Sequence, residues 1–181
     1  MKLLKNIINE SYEKHLRVFD FDDTLVKTRS FVYVTKENGK RLKLSPSQYS
    51  VYSKEDGDTM DYSDFESVKD PTHIRHIMRI FIKHLRSNDG HRNVILTARG
   101  VGARKSILRF IRSLKIGNSV ELITLNSSDP NDKKNWIETQ IRTNPNIKYV
   151  IFYDDSHKNI ESVDTLKSKY PNIKIETQLV K

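Results

Sequence analysis

The sequence predicts an α/β protein in which a doubly wound, Rossmann-like parallel sheet carries a small insertion after its first core strand. Short runs of β-forming residues alternate with segments whose apolar residues follow helical spacing, and this alternation is typical of parallel βαβ units. Acidic or hydroxyl side chains directly follow several of the predicted strands. Because parallel strands end at one edge of a sheet, where α/β proteins bind ligands, those side chains predict a functional site.

Five strands and five helices are expected in this core. Strands are predicted at 17–21, 93–97, 120–125 and 149–153, with a further edge strand at 173–176. Helices are predicted at 3–16, at 103–115, at 132–142, at 159–169 and from an Asp70-Pro71 start to Leu85. An aspartate before a proline favours a helix start, because the aspartate caps free N–H groups and proline tolerates the first helical position.

Residues 27–70 depart from this alternation and are interpreted as a cap or flap insertion within a single domain spanning 1–181. An Asn38-Gly39 pair separates two short β-forming runs, which is a strong signal for a hairpin. The rest of the segment is polar, with scattered aromatic residues. We therefore expect about half of the insertion to be hairpin and half to be irregular.

Composition excludes several kinds of site. The chain has no cysteine, which rules out disulfides, thiolate zinc sites and cysteine nucleophiles. No apolar run approaches the ~20 residues that span a bilayer, and the first residues are too polar for the hydrophobic centre of a signal peptide. The sequence thus predicts a soluble, cytoplasmic protein without a membrane partner.

The positive charge is concentrated in the middle of the chain. The formal net charge of the chain is +9. Residues 71–120 contain eleven Lys and Arg residues and one acid, Asp89. Such an imbalance indicates an anionic partner, with nucleic acid as one candidate. The alternative is that these side chains form ordinary solvated helix faces. They fall at helical spacing in two sets: Arg75, Arg79, Lys83 and Arg86, and Lys105, Arg109 and Arg112.

Four sets of residues at predicted strand or helix ends resemble the motifs of the haloacid dehalogenase superfamily. The run Phe19 to Leu25 reads F-D-F-D-D-T-L and is similar to its first motif, D-x-D-x-T. Thr97 matches the hydroxyl residue of the second motif, and Lys133 or Lys134 matches the lysine of the third. Asp154-Asp155 is similar to the acidic fourth motif. One motif alone is weak evidence, but all four occur in the family's order.

This resemblance implies phosphoryl transfer through an aspartyl-phosphate. Asp20 would be the nucleophile, and Asp22 would protonate the leaving oxygen and then activate water. Thr97 and Lys133 would hold the phosphate oxygens. Lys133 is favoured over Lys134, because Trp136 and Ile137 place it on a helix face that should pack on the sheet.

The resemblance also implies a magnesium site. Its expected ligands are Asp20, Asp154 and the backbone carbonyl of Asp22, with Asp155 supporting them, since Mg²⁺ prefers oxygen ligands and retains several waters. Dehalogenases of the family lack the second acid of D-x-D, so Asp22 argues against dehalogenation.

Two further residues give a weaker resemblance to the 3′-phosphatase domain of polynucleotide kinase/phosphatases. Arg99 lies two residues after Thr97, and Asp129 lies four before Lys133. Both are predicted to bind substrate, with Asp129 also placed to orient the ammonium of Lys133. Asp129 could equally be a helix cap. No G-x-x-x-x-G-K-[ST] loop is present, so no kinase half is expected.

The sequence therefore predicts a magnesium-dependent phosphomonoester hydrolase, with a phosphorylated nucleotide or polynucleotide end as candidate substrate. One alternative is a catalytically silent nucleic-acid-binding module on the same scaffold, which would bind with steep salt dependence and no turnover. A receiver-type signalling domain is a second alternative. Receivers place the acidic pair after the first strand and the lysine near the end, and the order here is the opposite.

Overall fold

The structure is a computed structural model that describes residues 14–87, 89–116 and 120–181. Two 3₁₀ turns, Ser63–Glu66 and Val101–Ala103, accompany fifteen strands and helices within these ranges. In chain order those elements are β1 (Lys14–Phe19), β2 (Val26–Lys27), β3 (Val32–Thr35), β4 (Arg41–Leu44), α1 (Pro46–Ser50), β5 (Thr59–Asp61), β6 (Thr72–His73), α2 (Arg75–Ser87), β7 (Arg92–Thr97), α3 (Arg104–Ser113), β8 (Glu121–Thr124), α4 (Pro130–Thr143), β9 (Ile147–Asp154), α5 (His157–Lys169) and β10 (Lys174–Leu179).

A five-stranded parallel sheet occupies the centre, in the order β10-β9-β1-β7-β8. Val18 of β1 pairs with Val94 on one side and Phe152 on the other. From β1 the chain adds β7 and β8 on one side of the sheet and then β9 and β10 on the other side, so the strand order reverses between β1 and β9. Ligands are expected beyond the carboxyl ends of these two strands. The predicted α/β class and parallel sheet are confirmed, and the strand order is compatible with a Rossmann-like arrangement.

Helices cover both faces of the sheet because the central strands are apolar on both sides. On one face Phe19 and Ile95 pack with α2 and α3 in a single apolar cluster. On the other face Leu16 and Val18 pack with α4 and α5. Both clusters are almost completely buried. The two cores fix the strand ends, and with them the side chains that follow each strand.

The segment between β1 and α2 forms two small antiparallel sheets. β3 pairs with β4 and with β5, and β2 pairs with β6 as a short ribbon. The predicted hairpin at Asn38-Gly39 is confirmed. Gly39 has a φ of +80°, a conformation that glycine adopts without steric cost.

Two predicted helix positions are wrong. Asp70 has a φ of +43°, and β6 follows it because residues 72–73 pair with β2 and the N–H of Ile74 donates to the Leu25 carbonyl. The helix therefore begins only at Arg75. Residues 14–16, expected in the N-terminal helix, belong to β1, which pairs on both sides. The remainder of that predicted helix lies outside the described residues. None of the described helices is long and apolar enough to cross a membrane.

Candidate active site

Asp20 and Asp154 lie side by side where the strand order of the sheet reverses. Asp20 directly follows β1, and its N–H donates to the Tyr153 carbonyl at 2.9 Å. Asp154 is the last residue of the neighbouring strand, β9. Both residues are buried, Asp154 completely. Two carboxylates buried at this point require compensating positive charge.

Lys133 supplies that charge. It lies in the first turn of α4 and is 4% exposed. Its Nζ is 2.7 Å from Oδ1 of Asp20 and 2.7 Å from Oδ2 of Asp154. Burial opposes the charge of Lys133, but the two carboxylates outweigh it and hold its pKa above the ordinary value. Lys134 instead donates to Oδ1 of Asn131, so Lys133 is the lysine that the fold brings to the acids.

Asp20 lies in an environment with excess negative charge. Burial raises its pKa well above the ordinary value, Lys133 opposes this, and repulsion from Asp154, Asp155 and Asp22 adds to the rise. One carboxylate oxygen is held by Lys133, whereas Oδ2 accepts no hydrogen bond from the described residues. The side chain is thus fixed through one oxygen and leaves the other available.

Asn159, in the first turn of α5, orients Asp154. Its Nδ2 donates to both carboxylate oxygens, at 2.9 and 3.0 Å. The N–H of Ser156 donates to Oδ1 at 2.8 Å. Sequence reasoning assigned Asn159 no role. Its position five residues after Asp154, in the first turn of the helix that follows the strand, was the available signal.

Asp155 lies at the mouth of the site. Thr24 donates to its Oδ1 at 3.3 Å. Desolvation and repulsion from Asp154 and Asp23 raise the pKa of Asp155 to about 6, although the residue itself remains exposed. The threonine of the D-x-D-x-T run, buried completely, therefore links the first and fourth motifs directly.

Asp22 forms a bidentate ion pair with Arg99. Nε and Nη2 of Arg99 each lie 2.7 Å from an oxygen of Asp22. The Arg99 side chain is 1% exposed and that of Asp22 is 18% exposed. Thr28 also donates to Asp22, at 3.1 Å. Both oxygens of Asp22 are therefore held, and the side chain is fixed at the end of β1.

Arg99 also ties the 27–70 segment to the central sheet. Its Nη1 donates to the Phe65 and Ser67 carbonyls at 2.9 and 2.7 Å. Nη2 also donates to the hydroxyls of Thr28 and Ser30. All three nitrogens of Arg99 are thus engaged within the protein. Substrate contact by Arg99 stays a prediction. The observed geometry favours a role in positioning Asp22 and the 27–70 segment. The sequence reasoning missed this role of Arg99, and it also missed the hydroxyls of Thr28 and Ser30.

Thr97 ends β7 beside the first strand, since Ile95 pairs with Phe19. It is 1% exposed, and its hydroxyl accepts a hydrogen bond from the N–H of Arg99 at 3.2 Å. The next loop packs closely, because a Cβ on Gly100 would lie 2.6 Å from Oδ1 of Asn126. Thr97 therefore lies at the same sheet edge as Asp20, with its hydroxyl orienting the following turn.

Asp129 is a helix cap in this structure. Its Oδ1 accepts from the N–H of Asn131 at 2.9 Å, and the residue is exposed. The expectation that Asp129 orients Lys133 is wrong, because Asp20 and Asp154 hold that ammonium instead. Substrate binding by Asp129 stays a prediction.

A cleft of about 580 Å³ is lined by Asp155 and Asp23, but not by Asp20. Lys27 and Lys181 are among its other lining residues. Ligand pockets in proteins commonly have volumes of ~300–1,000 Å³. The cleft is therefore large enough for a small organic group and carries both signs of charge.

A magnesium ion at this edge stays a prediction, with Asp20 and Asp154 as its candidate side-chain ligands. One oxygen of Asp20 and one oxygen of Asp154 meet at the Nζ of Lys133, so an ammonium group occupies the point where these carboxylates converge. Within residues 14–87, 89–116 and 120–181, no group of three or more His, Asp or Glu side chains is arranged to hold a metal. Mg²⁺ is typically held by one or two carboxylates with waters and substrate phosphates. Both oxygens of Asp22 bind Arg99. Both oxygens of Asp154 are also engaged, by Lys133, Asn159 and the N–H of Ser156.

Comparisons with known proteins gave no matching protein family, no similar curated protein and no similar solved structure.

Proposed function

We propose that the protein is a magnesium-dependent phosphomonoester hydrolase of the haloacid dehalogenase type, with Asp20 as nucleophile. The observation that carries this proposal is the state of the Asp20 carboxylate. Lys133 holds one oxygen at 2.7 Å, the other accepts no hydrogen bond from the described residues, and the group lies where the strand order reverses. A fixed carboxylate with a free oxygen is what nucleophilic attack on phosphorus requires.

Spatial convergence of the four motifs supports the family assignment. Residues separated by more than 100 positions meet, as Lys133 contacts Asp20 and Thr24 contacts Asp155. A chance D-x-D turn would have no reason to meet a buried lysine and a second acidic pair. In this proposal the 27–70 segment is a small cap that Arg99 anchors to the sheet.

The proposed reaction has two steps. Oδ2 of Asp20 forms a bond to phosphorus while the ester P–O bond breaks, and the leaving oxygen takes a proton from Asp22. Water, deprotonated by Asp22, then attacks phosphorus and releases inorganic phosphate and the Asp20 carboxylate. Arg99 holds both oxygens of Asp22 as a bidentate pair, which positions this carboxyl group for its part in both steps. Its role as acid requires the bidentate pair to loosen when substrate binds.

Lys133 and Thr97 would hold the phosphate during this reaction, Lys133 by its charge and Thr97 by its hydroxyl or backbone N–H. Asp20 and Asp154 would hold Mg²⁺, with the Asp22 carbonyl as a further ligand and Asp155 at the outer side. The ion would neutralise part of the negative charge on the phosphoryl group.

The substrate proposed for this site is a nucleotide or a polynucleotide end. The cleft next to Asp155 has space for a leaving group, and the lysines in its lining suit an anion. The small cap leaves room for a bulky substrate. This part of the proposal fails if phosphorylated oligonucleotide ends are turned over no better than small phosphate esters.

Phosphate release tests the proposal. Wild type, Asp20→Asn and the exposed control Asp56→Asn are compared on an aryl phosphate and on 3′- and 5′-phosphorylated oligonucleotides, with Mg²⁺ or EDTA. We expect Mg²⁺-dependent turnover in wild type and the control, and a loss of at least ~10³-fold in Asp20→Asn, because the nucleophile is removed. Turnover that survives in Asp20→Asn contradicts the proposal, and no turnover on either substrate class favours the silent scaffold.

A further inference from the structure

The helices α2 and α3 expose many cations on one side of the central sheet. Both helices pack on the same face of the central sheet. Nine exposed cations lie on these helices and the turn after α3, and together they are called the basic face. They are Arg75, Arg79, Lys83, Arg86, Arg104, Lys105, Arg109, Arg112 and Lys115.

Among the described residues, no acid forms an ion pair with the basic face. The two other arginines of residues 71–120 behave differently, since Arg92 pairs with Glu121 and Arg99 with Asp22. The one acid of this stretch, Asp89, pairs with Arg17 of β1. Arg92 and Arg99 are thus paired with acids, whereas Arg104 of the basic face donates to the Leu122 carbonyl at 2.6 Å.

The basic face starts at the edge of the sheet that carries the acids. Both helices run from this edge to the opposite edge of the sheet. Each helix ends near that opposite edge because the parallel strand that follows it, β7 or β8, begins at the opposite edge. Arg75, Arg79 and Lys83 follow at four-residue intervals, about 6 Å apart along the axis. At the near end, a groove of about 330 Å³ is lined by Arg104, Lys105 and Arg112, among others. The basic face thus includes a line of cations along α2.

The chemistry of the two helices favours nucleic acid over a membrane surface. A helix that lies on a membrane inserts its apolar side into lipid, but here Met78, Phe81 and Ile107 are buried in the core. Single-strand binders add exposed aromatic rings on which bases stack. The two phenylalanines of these helices, Phe81 and Phe110, are both buried. The exposed side chains of these two helices are therefore mainly cationic, which suits the regular phosphate backbone of a duplex.

We infer that the basic face binds the phosphate backbone of a nucleic acid duplex without sequence preference. The cations contact phosphates on a surface separate from the Asp20 site, so binding needs neither metal nor turnover. A duplex bound there extends towards the edge where the acids lie. The inference therefore stands apart from the proposed hydrolase activity, and each fails or succeeds without the other.

Fluorescence anisotropy with a short labelled DNA duplex in EDTA tests this inference. The variant Lys83→Gln/Arg109→Gln removes two charges from the basic face. Its matched control, Arg142→Gln/Lys148→Gln, removes one exposed arginine and one exposed lysine elsewhere. All four positions lie on the surface, where such changes alter stability by less than ~0.5 kcal/mol. Binding is measured from about 50 to about 200 mM salt, and anionic phosphatidylserine vesicles serve as a second probe.

We expect wild type and the control to bind duplex with a steep loss of affinity as salt rises. The basic-face variant should bind at least ~10-fold more weakly at low salt, with a log–log salt slope shallower by about two, since each lost phosphate contact removes ~0.9. Three results would overturn the inference: no duplex binding by wild type, equal weakening in the control, or binding to vesicles but not to duplex.

Discussion

Asp22 and Arg99 face each other across the end of β1, with Nε and Nη2 of Arg99 each 2.7 Å from a carboxylate oxygen. The same guanidinium lies between the rings of Phe21 and Phe65, 5.6 and 5.1 Å from their centroids. It also holds the Phe65 and Ser67 carbonyls. One buried arginine thus fixes the proposed acid/base group and the position of the 27–70 segment together.

Arg99→Lys is expected to weaken the hold on Asp22 and the anchoring of the 27–70 segment. Lysine keeps the positive charge but cannot form the bidentate contacts of the planar guanidinium. The free energy of unfolding should fall by about 2 kcal/mol, since buried acceptors lose their donors. In the proposed reaction kcat should fall with little change in KM, as Asp22 is misplaced while the phosphate contacts remain. Urea unfolding and steady-state kinetics measure the two effects. The exposed Arg109→Lys is the control, and wild-type behaviour of Arg99→Lys would refute the positioning role.

Lys133→Met should be the more destabilising of two matched substitutions. Removing this ammonium leaves Asp20 and Asp154 buried without a positive partner, and breaking such a pair costs about 3–5 kcal/mol. Lys134→Met removes the neighbouring, partly exposed lysine and should cost less than ~0.5 kcal/mol. Urea unfolding in EDTA measures both. Equal stability of the two variants would show that Lys133 is not required to neutralise the acids.

Asn159→Ala tests whether orientation of Asp154 matters for metal binding. The change removes the side chain that donates to both oxygens of Asp154. Residues that orient metal ligands typically contribute 10–100-fold to metal affinity, so we expect the apparent Kd for Mg²⁺ to rise by about that factor. Isothermal titration with Mg²⁺ measures it, with the exposed Asn135→Ala as control. An unchanged Kd in Asn159→Ala would argue against Asp154 as a ligand.

His84 should make stability depend on pH. Burial first, then repulsion from Arg17, Lys83 and His15, lowers the pKa of His84 to about 4, with Asp89 opposing the shift. The unfolded chain takes up this proton near the ordinary value of ~6.5, so the contribution to stability is complete above that pH and is lost towards pH 4.

His84→Gln isolates this effect. Allowing for partial exposure, we expect wild type to lose about 1–2 kcal/mol more than His84→Gln between pH 7 and pH 5. Thermal and urea unfolding at these two pH values measure the difference. Parallel pH profiles for the two proteins would show that His84 titrates normally in the folded state.

The fold and the acids could be predicted because their signals are local. The alternation of strands and helices is visible within short windows, and Asp20 and Asp154 directly follow apolar runs. Lys133 could be preferred over Lys134 because Trp136 and Ile137 indicate which side of α4 packs on the sheet. These inferences need no knowledge of how distant segments meet.

Features that depend on distant pairing were missed. The Asp22–Arg99 pair joins residues 77 positions apart, and nothing near Arg99 indicates that its side chain turns inward. The Asp70-Pro71 helix start failed for a similar reason, since the pairing of β2 with β6 overrides the local capping signal. Asp129 followed its local preference and capped a helix, which was one of the two roles that the sequence left equally open.

The most direct test of the central claim is to locate the phosphoryl group during turnover. Wild-type protein is mixed with Mg²⁺ and a phosphomonoester, quenched in acid and digested, and the phosphorylated peptide is sequenced by mass spectrometry. The account predicts a phosphoryl group on Asp20 that is absent from Asp20→Asn. Turnover without phosphorylation of Asp20, or with the group on another residue, would contradict it.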